Sequence, residues 1–568
     1  MPSVQSPANP GLEPFDISRY RGMKGKNLFL EDPALLRAVA RHTMSYSPEH
    51  RRAVKENLEG YGALVGGILN DLTEASHKEG RYGEIVHYDR TCNRIDEIKY
   101  CFEQNEARRI SYEYGIVNLD FHPDWKFPFT DFHRGALTYL VNLNGEGGVS
   151  CPLAMTEGMI RVLKAIGTEE QKRKVLPLVA GPESSSYFMA GQYVTERVGG
   201  SNVGANRTVA EKRSDGKWIL NGEKWFCSNP GDLWVTTAKV KGTNTVGLFL
   251  VPRIKDNGEI NGCYLLRKKD IIGSRGKVTA EAVYENLEAE ELGRPAHGIA
   301  NLIKYVIKTS RMHVGLGASG NAERALMEAL EYCRVREAYG RKIGQFASVS
   351  RNLGEMQILQ FALVLSVFKN IVMNEEGRPS EQIVTPLLKY IASTHATWLT
   401  RESILLHGGN GILGDFTIVP RLHNDSIINE TWEGTHNIIA DHVLKAFFRN
   451  KAHDDWKKAV DENIAGAGAK SAKALKTLGD LRNRLEEMRS MPDTWIETSA
   501  LTICDTIYNI FALSVLIYET THDGPEMPTP EAGIAAYADG FAEIAMRGKM
   551  SAIWPDGVFA ESGKFFPV

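Results

Sequence analysis

The first long stretch of the chain, from about residue 30 to 186, has the hydrophobic pattern of amphipathic helices. Apolar residues recur there at intervals of three and four, as Ile160, Leu163 and Ile166 do. An α-helix repeats about every 3.6 residues, so this spacing places apolar side chains on one face, toward a core. We therefore expect a helical N-terminal domain over residues 1–186.

The pattern then changes to that of β-strands. The tight-turn dipeptides Asp-Gly at 215–216 and Asn-Gly at 221–222 flank the apolar run 218–220, and a further strand-like run follows at 233–238. Short apolar runs bounded by such turns are typical of strands. We expect a middle β-domain over residues 187–293.

Helical spacing returns after this domain and continues through the rest of the sequence. Alanines and leucines recur at three, four and seven over 322–333, and leucines form one stripe over 475–485. This pattern predicts a C-terminal helical bundle over 294–450 and a helical C-terminal extension over 451–568. The predicted fold class is therefore mainly α, with an inserted β-domain.

The segment 315–320 has the letters of the GxGxxG dinucleotide-binding motif, but its surroundings do not fit. That motif needs a strand before it and an acidic residue about 20 positions later, at the end of a second strand. Here the helical pattern lies on both sides, over 301–311 and 321–333. Small residues at this spacing favour close packing of two helices, and we predict that role.

Composition indicates a soluble protein of several domains: 568 residues, 43% of them hydrophobic, with a net charge of −3. The seven cysteines are scattered and form no CxxC pair, which fits a reducing compartment and neither a disulfide framework nor a metal site. The N-terminus has neither a secretory apolar segment nor an arginine-rich presequence pattern. The longest apolar run, roughly 507–518, is too short to cross a bilayer. We expect a cytoplasmic protein without a membrane span.

The most informative candidate for chemistry is Glu433, in the segment Thr-Trp-Glu-Gly-Thr at 431–435. It follows the glycine-rich segment 407–411, His-Gly-Gly-Asn-Gly, by about 22 residues. A carboxylate beside an aromatic residue and a glycine is suited to removing a proton from carbon. Partial burial raises its pKa toward the operating pH, and the glycine lets a substrate approach the backbone. Taken alone, a loop glutamate is more often simply exposed.

Four motifs occur in a fixed order around this glutamate. They are YVTERVGGSN at 193–202, KWFCSN at 224–229, Arg311 with REAYGR at 336–341, and HGGNG at 407–411 with WEGT at 432–435. The ordered set resembles the acyl-CoA dehydrogenase flavoprotein family over roughly residues 140–450. The long C-terminal stretch and the forms of the second and fourth motifs resemble the AidB-like branch of that family, as do FHPDW at 121–125 and SCP at 150–152.

The resemblance implies FAD bound without a covalent link between a middle β-barrel and the C-terminal helices. In this interpretation Val194 and Thr195 contact the flavin ring, Phe226 stacks on it, and Ser228 hydrogen-bonds near its N5 edge. Ser201 lies near the flavin and the phosphates on the CoA side, although Asn202, beside it, and Arg197 depart from the family's usual aspartate and proline.

The resemblance also implies contacts to the FAD pyrophosphate and to the substrate. Arg336, placed on a helix, would reach the pyrophosphate of a neighbouring subunit, with Tyr339 packed beside it. The remaining expected cofactor contacts are the backbone of Gly408, Gly409 and Gly411 and the side chains of Thr435 and Asn437. The residues expected to line the substrate are Ser201, Arg311 and Gly434.

Glu433 is the candidate base of the reaction that the family catalyses. Some branches place the base just before the mid-chain arginine, but here that position is Ser310, which cannot act as one. Glu430 is a weaker candidate because it lacks the glycine context. The resemblance thus implies that Glu433 takes the α-proton of an acyl-CoA while flavin N5 accepts the β-hydride, giving a trans-2-enoyl-CoA in fatty acid metabolism. An electron-transfer flavoprotein as acceptor and a homotetramer are the family expectations.

Three alternatives stay open at this point. One is a nucleic-acid-associated protection protein of the AidB kind, but the segment 451–568 carries 12 Lys and Arg against 18 Asp and Glu, which argues against nucleic-acid binding there. A second is a slow acyl-CoA-binding or sensing flavoprotein. A third is an oxidase, in which oxygen takes the place of the electron-transfer flavoprotein.

Overall fold

The computed structural model describes residues 16–181, 188–448 and 450–547. A helical region, a β-barrel, a helical bundle and a further set of helices follow one another along the chain. The predicted fold class, mainly α with an inserted β-domain, is confirmed. The sequence features at 1–15 and 548–568, and the domain boundary expected near residue 186, lie outside the described residues.

Seven α-helices and one hairpin make up the N-terminal region over its described residues, 16–181. The helices are α1 (Pro33–Thr43), α2 (Pro48–Gly66), α3 (Ile68–Ser76), α4 (Phe102–Glu113), α5 (Asp131–Val141), α6 (Ser150–Ile166) and α7 (Glu169–Ala180). The hairpin pairs β1 (Glu84–Tyr88) with β2 (Arg94–Lys99), so the prediction of helix throughout this stretch is wrong here. Its Ile85 and Ile98 pack on the core of the barrel, and Arg94 donates to the Leu265 carbonyl at 2.6 Å. A two-stranded hairpin is marginal alone, so these tertiary contacts decide its structure.

The middle region is a seven-stranded sheet that closes on itself. Its strands are β3 (Ala190–Tyr193), β4 (Val209–Lys212), β5 (Trp218–Ser228), β6 (Leu233–Val240), β7 (Val246–Pro252), β8 (Cys263–Lys268) and β9 (Thr279–Glu291). Pairing runs β6–β4–β5–β9–β7 and returns to β6, with β3 added beside β6 and β8 beside β9. The barrel interior is apolar, and Trp234 satisfies its indole N–H by donating to the Tyr284 hydroxyl at 3.0 Å.

The predicted turn at Asn221-Gly222 is wrong. Strand β5 continues through it to Ser228, and the register against β9 shifts between Leu220 and Gly222. A Cβ on Gly222 would lie 2.5 Å from the Thr208 hydroxyl, so glycine is needed for close approach of β5 to its neighbour. Asn-Gly marks a β-bulge at this position, an irregularity that a glycine also permits.

The C-terminal bundle holds the longest helices. They are α8 (Gly298–Asn301), which runs through one π-helical segment (Leu302–Ile307) into α9 (Lys308–Val335), then α10 (Ala347–Glu375), α11 (Glu381–His407), α12 (Val419–Thr431) and α13 (His436–Phe447). Two short strands, β10 (Glu337–Ala338) and β11 (Arg341–Lys342), form a hairpin after α9, and a 3-10 helix (Gly408–Ile412) follows α11.

The GxGxxG segment lies inside α9, as predicted. A Cβ on Gly320 would stand 2.7 Å from the Tyr139 carbonyl oxygen, and one on Gly317 would stand 2.9 Å from the Asn142 side-chain oxygen. The absence of side chains at these positions therefore lets α9 approach the end of α5. The helix-packing interpretation of these glycines is confirmed.

Five helices make up the C-terminal extension as far as the structure describes it. They are α14 (Asn450–Ile464), α15 (Ala472–Arg489), α16 (Asp493–Thr498), α17 (Ala500–Thr521) and α18 (Ile534–Arg547). The extension is anchored on the N-terminal region by Arg37, whose guanidinium is fully buried. Arg37 donates to the Glu519 carboxylate at 2.6 Å and to its backbone carbonyl at 2.8 Å, and it also reaches Asp523 at 3.0 Å.

Two helices in the described part of the chain, α10 and α17, are long and apolar enough to cross a membrane by length and composition. In each, 72% of the apolar window is buried inside the protein. Core helices of soluble proteins pass the same test, and both helices pack against several others here, so the observation is weak evidence for a span.

Candidate active site

Glu433 lies in the turn between α12 and α13, which we call the catalytic turn (residues 431–435). Its backbone has φ of 55°, and Gly434 follows with φ of 110°. A non-glycine residue with positive φ is disfavoured, because its Cβ crowds the backbone. Such a conformation persists only where neighbouring groups hold it, and it is a frequent feature of functional sites.

The Glu433 side chain is held by two elements that are distant in sequence. The hydroxyl of Ser310, near the start of α9, donates a hydrogen bond of 2.7 Å to Glu433 Oε1. The side chain of Gln192, on strand β3, lies near the same carboxylate and helps to lower its pKa. The carboxylate therefore sits where the bundle meets the barrel, which is the interface at which the flavin is expected.

The backbone of the catalytic turn is held by two cations. Lys389, buried on α11, donates to the carbonyl of Glu430 at 3.1 Å and to that of Gly434 at 2.6 Å. Arg311 donates to the Glu433 carbonyl at 3.2 Å, and its other nitrogen lies 3.0 Å from His442 Nδ1. Three carbonyls in and beside the turn thus have charged donors, which stabilise the left-handed backbone at Glu433.

Burial raises the pKa of the Glu433 carboxyl above its ordinary value, and the Ser310 hydrogen bond and the charges of Arg311 and Lys389 oppose the rise. Burial likewise lowers the pKa of Lys389 to about 8, against the attraction of Glu433 and Glu430. The result is a partly buried carboxylate with compensating positive charge nearby. A carboxyl group whose pKa is raised by burial binds a proton more readily than an exposed one, as the predicted base must.

A continuous set of contacts links the catalytic turn to strand β5 of the barrel. The ammonium of Lys277 lies 5.1 Å from the ring centre of Trp432 and donates to the Thr279 hydroxyl at 2.9 Å. That hydroxyl is 3.2 Å from the Ser228 hydroxyl at the end of β5. Lys277 and Thr279 therefore connect Ser228, predicted at the flavin N5 edge, with Trp432, which directly precedes the predicted base.

The other predicted flavin contacts of the barrel lie at its rim. Val194 and Thr195 follow β3 directly. The carbonyl of Val194 accepts a hydrogen bond from the Asn206 side chain at 2.9 Å, and that of Thr195 accepts one from the backbone N–H of Trp225 at 2.8 Å. Ser201 is exposed in the loop that follows, and no described contact joins it to Glu433.

Phe226 gives the clearest test of whether the residues present suit a flavin. It projects from β5 with 47% of its surface exposed, although it is a large apolar ring. Trp225 is covered by the ammonium of Lys269, 3.4 Å from its ring centre, while the same ammonium is 4.8 Å from the centre of Phe226. An exposed aromatic face beside hydroxyl donors suits a planar heteroaromatic group, so the residues fit FAD.

The glycine-rich segment after α11 fits in part. A Cβ on Gly408 or Gly409 would meet nothing within 4 Å, so the backbone there is open to an approaching dinucleotide. A Cβ on Gly411 would instead stand 2.3 Å from the Ile404 carbonyl oxygen. Gly411 is thus required by the fold of the segment itself, whatever else it contacts.

Arg336 is not on a helix, so that part of the prediction is wrong. Helix α9 ends at Val335, and the backbone of Arg336 is extended because the β10–β11 hairpin begins directly after it. The carbonyl of Arg336 accepts a hydrogen bond of 2.8 Å from the backbone N–H of Ile343. Tyr339 is at the hairpin tip with φ of 51° and 97% exposure. The hairpin thus projects from this chain, as a contact to a neighbouring subunit would need.

Thr435 and Asn437 lie at the start of α13 and are exposed. Thr435 is the N-cap of that helix, but its hydroxyl makes no capping bond. Gly434, predicted to line the substrate, accepts from Lys389 through its carbonyl, and Arg311 contacts the backbone of the turn. Within the described ranges no group of three or more His, Cys, Asp or Glu side chains could hold a metal ion.

Three residues of this site were missed by the sequence reasoning: Gln192, Lys277 and Lys389. Lys389 had a usable signal, since it is one charged residue in the apolar stretch 383–392 of a predicted helix. A lysine in such a place is rarely buried without a partner, so a paired role was predictable. Gln192 and Lys277 carry no such signal, because strand pairing and domain docking bring them to the site.

Three family models match the chain in succession. The model of the N-terminal domain of the adaptive response protein AidB matches residues 20–183. The model of the acyl-CoA dehydrogenase middle domain matches 191–287, and that of the acyl-CoA dehydrogenase C-terminal domain matches 297–448. Together they span the barrel, the bundle and the catalytic turn.

Individual proteins agree with these matches. The chain is 26% identical to acyl-CoA dehydrogenase family member 11 of Caenorhabditis elegans over 86% of its own length and 84% of that protein. It is 31% identical to the probable acyl-CoA dehydrogenase FadE25 of Mycobacterium tuberculosis over 48% of its own length and 69% of that protein. The crystal structure of C. elegans ACDH-11 in complex with C11-CoA has the same fold, with a TM-score of 0.83 at 22% identity over 94% of this chain and 92% of that one.

Proposed function

The chain belongs to the acyl-CoA dehydrogenase family, as an AidB-like member, and on that premise we propose that it dehydrogenates acyl-CoA thioesters with Glu433 as the α-proton base. Membership supports oxidation of an acyl-CoA by a flavin. The observation that carries the assignment of the base is the carboxylate itself, which is partly desolvated, accepts a hydrogen bond from Ser310, and lies on a turn held by Lys389 and Arg311.

The proton transfer follows from the electrostatics of the turn. Glu433 removes the α-proton, and because its pKa is raised by burial, its carboxylate is a stronger base than an exposed glutamate. The backbone N–H of Glu433 donates to the thioester carbonyl and so stabilises the negative charge that develops on its oxygen. Lys389 and Arg311 keep the turn in place while the carboxyl changes charge.

FAD is the cofactor, and when bound it supplies a two-electron acceptor whose N5 takes the β-hydride, so that the product is a trans-2-enoyl-CoA. The residues that would hold its ring are Val194, Thr195, Phe226 and Ser228. Arg336 and Tyr339, on the projecting hairpin, would contact FAD of a neighbouring subunit. That arrangement needs more than one copy of the chain, and a homotetramer is part of the proposal.

The electron acceptor in this proposal is an electron-transfer flavoprotein, and the location is the cytoplasm. All seven cysteines are free thiols, which supports a reducing compartment. Of the alternatives, nucleic-acid protection is not favoured, since acidic residues outnumber basic ones over 451–568. Slow binding or sensing of acyl-CoA shares the same site and differs only in turnover.

Anaerobic titration of the purified yellow protein with acyl-CoAs of graded chain length tests this function. Stoichiometric bleaching of the flavin, with release of the enoyl-CoA, is the expected result. A flavin that stays oxidised with every acyl-CoA, although the protein binds them, would leave the sensing alternative in place of catalysis.

A further inference from the structure

The C-terminal extension, described here as residues 450–547, has no part in the chemistry proposed above, yet it reaches the helices that carry the catalytic turn. Its longest helix, α17, packs against α10, α11 and α13. Helix α11 carries Lys389, which holds the turn, and α13 begins where the turn ends. The extension therefore contacts the helix that holds the catalytic turn and the helix that follows it.

A hydrogen bond connects α17 to α11 directly. The hydroxyl of Tyr390 donates to Asp505 Oδ1 at 3.1 Å, and Tyr390 is only 6% exposed. Tyr390 directly follows Lys389 in the sequence. A bond that fixes Tyr390 therefore also restrains the rotation of α11 about its axis, and its shift along that axis, at Lys389. A buried hydroxyl bonded to a charged acceptor is a strong constraint, because leaving either group unpaired is costly.

The ring of Tyr390 continues the contact to the catalytic turn. It meets the ring of His436, the first residue of α13, edge to face with centres 4.9 Å apart. His436 Nε2 in turn lies 3.3 Å from a carboxylate oxygen of Glu430, near the end of α12. Residues 430 and 436 stand on either side of the turn, so this approach, in which Nε2 makes no hydrogen bond, places its two ends next to each other.

We propose that the extension acts as a brace for the active site, with Asp505 as a positioning residue that holds the catalytic turn through Tyr390, His436 and Glu430. The inference rests on the proposed function of Glu433. Its physical basis is the positive φ at that residue, because a strained backbone conformation persists only where several neighbouring contacts hold it in place. Lys389 and Arg311 supply part of this restraint from within the bundle, and the extension supplies the rest from outside.

Hydrogen exchange of the FAD-loaded protein, read by mass spectrometry over a peptide spanning 428–440, tests the brace. The variants are Asp505→Ala and Tyr390→Phe, singly and together. The matched control is Ser514→Ala, which deletes two buried hydrogen bonds of α17 away from the turn, the 3.1 Å bond from Asn463 and the 2.7 Å bond to the Phe511 carbonyl. Asp505→Asn is a rescue variant, since its amide oxygen still accepts from Tyr390.

We expect at least about tenfold faster exchange of the protected amides in both single variants, no further increase in the double variant, and near wild-type exchange in Ser514→Ala and Asp505→Asn. This corresponds to about 1.4 kcal/mol of lost restraint. Equal exchange in Tyr390→Phe and Ser514→Ala would overturn the proposal. The readout needs no substrate, so it stands or falls separately from acyl-CoA oxidation.

Discussion

The hydroxyl of Ser310 donates a 2.7 Å hydrogen bond to the carboxylate of Glu433, across 123 positions of sequence. Ser310 occupies the site at which other branches of the family are expected to carry their base. Here the residue instead orients the carboxylate from α9 and stabilises its charged form. The two candidate positions for the base, 310 and 433, are therefore in direct contact: the carboxylate is on the turn, and the hydroxyl that donates to it is on α9.

Ser310→Ala is expected to move the acidic limb of the pH–rate profile for flavin bleaching to higher pH by about one unit. The hydrogen bond lowers the pKa of Glu433, so its loss lets burial raise that pKa further, and more of the base is protonated at low pH. At high pH, where Glu433 is ionised in both proteins, the rates should converge. Stopped-flow bleaching across pH measures this.

Ser319→Ala is the matched control, because Ser319 is on the same helix and its hydroxyl donates to the Gly315 carbonyl, at 2.8 Å, away from the carboxylate. Its profile should follow the wild type. An unshifted profile in Ser310→Ala would show that the hydroxyl does not govern the ionisation of Glu433.

Lys389→Met is expected to slow flavin reduction and to lower the free energy of unfolding by about 2–6 kcal/mol. The change leaves the carbonyls of Glu430 and Gly434 without their donor, at about 1–3 kcal/mol for each buried group. Lys445→Met removes an exposed lysine paired with Asp441 on α13 and should cost about 0.5 kcal/mol or less. Denaturant unfolding of the two variants gives the comparison; equal losses would contradict the role given to Lys389.

Alanine substitution at two glycines of α9 is expected to change the stability of the protein in different directions. Gly320→Ala should destabilise the protein by about 1–3 kcal/mol, since the new methyl would stand 2.7 Å from the Tyr139 carbonyl oxygen. Gly315→Ala should be neutral or stabilising by up to about 1 kcal/mol, because its nearest contact is at 3.9 Å and alanine is the better helix former. Thermal unfolding separates them. Equal effects would mean that close helix packing is not what these glycines provide.

Arg37→Met should cost about 3–5 kcal/mol, because it removes the fully buried partner of Glu519, which keeps its 3.1 Å contact with Arg41, and the 3.0 Å contact to Asp523. Replacing Glu519 by Met as well should restore part of the loss, since one uncompensated charge is then removed. Arg334→Met, at an exposed pair with Glu331, is the control. An additive double variant in denaturant unfolding would show that Arg37 and Glu519 do not interact energetically.

The sequence was sufficient where periodicity decides structure. The helical stretches, the apolar strand at 233–238 and the helix around 315–320 all have local patterns that the packing only completes. It was insufficient where distant contacts decide. The hairpin Glu84–Lys99 is stabilised by the barrel beneath it, and Asn221-Gly222 has the letters of a turn but the pairing of a bulge.

The site shows the same division. Glu433 could be singled out because an ordered set of motifs surrounds it, and Ser310 because of its place before Arg311. Gln192 and Asp505 could not, since each reaches the turn through a docking contact between separate parts of the chain. The helix end at Val335 was also missed, because the pairing of Glu337 with Lys342 overrides the helical pattern before it.

Glu433→Gln is the most direct test of the central claim, with single-turnover reduction of the bound flavin by an acyl-CoA under anaerobic conditions as the measurement. Glutamine keeps the shape and accepts the Ser310 hydrogen bond but cannot take a proton. The variant should retain FAD and bind the acyl-CoA, while its flavin-reduction rate constant falls by about 10² to 10⁴-fold, the range expected for loss of a general base. Reduction at the wild-type rate would show that Glu433 is not the base.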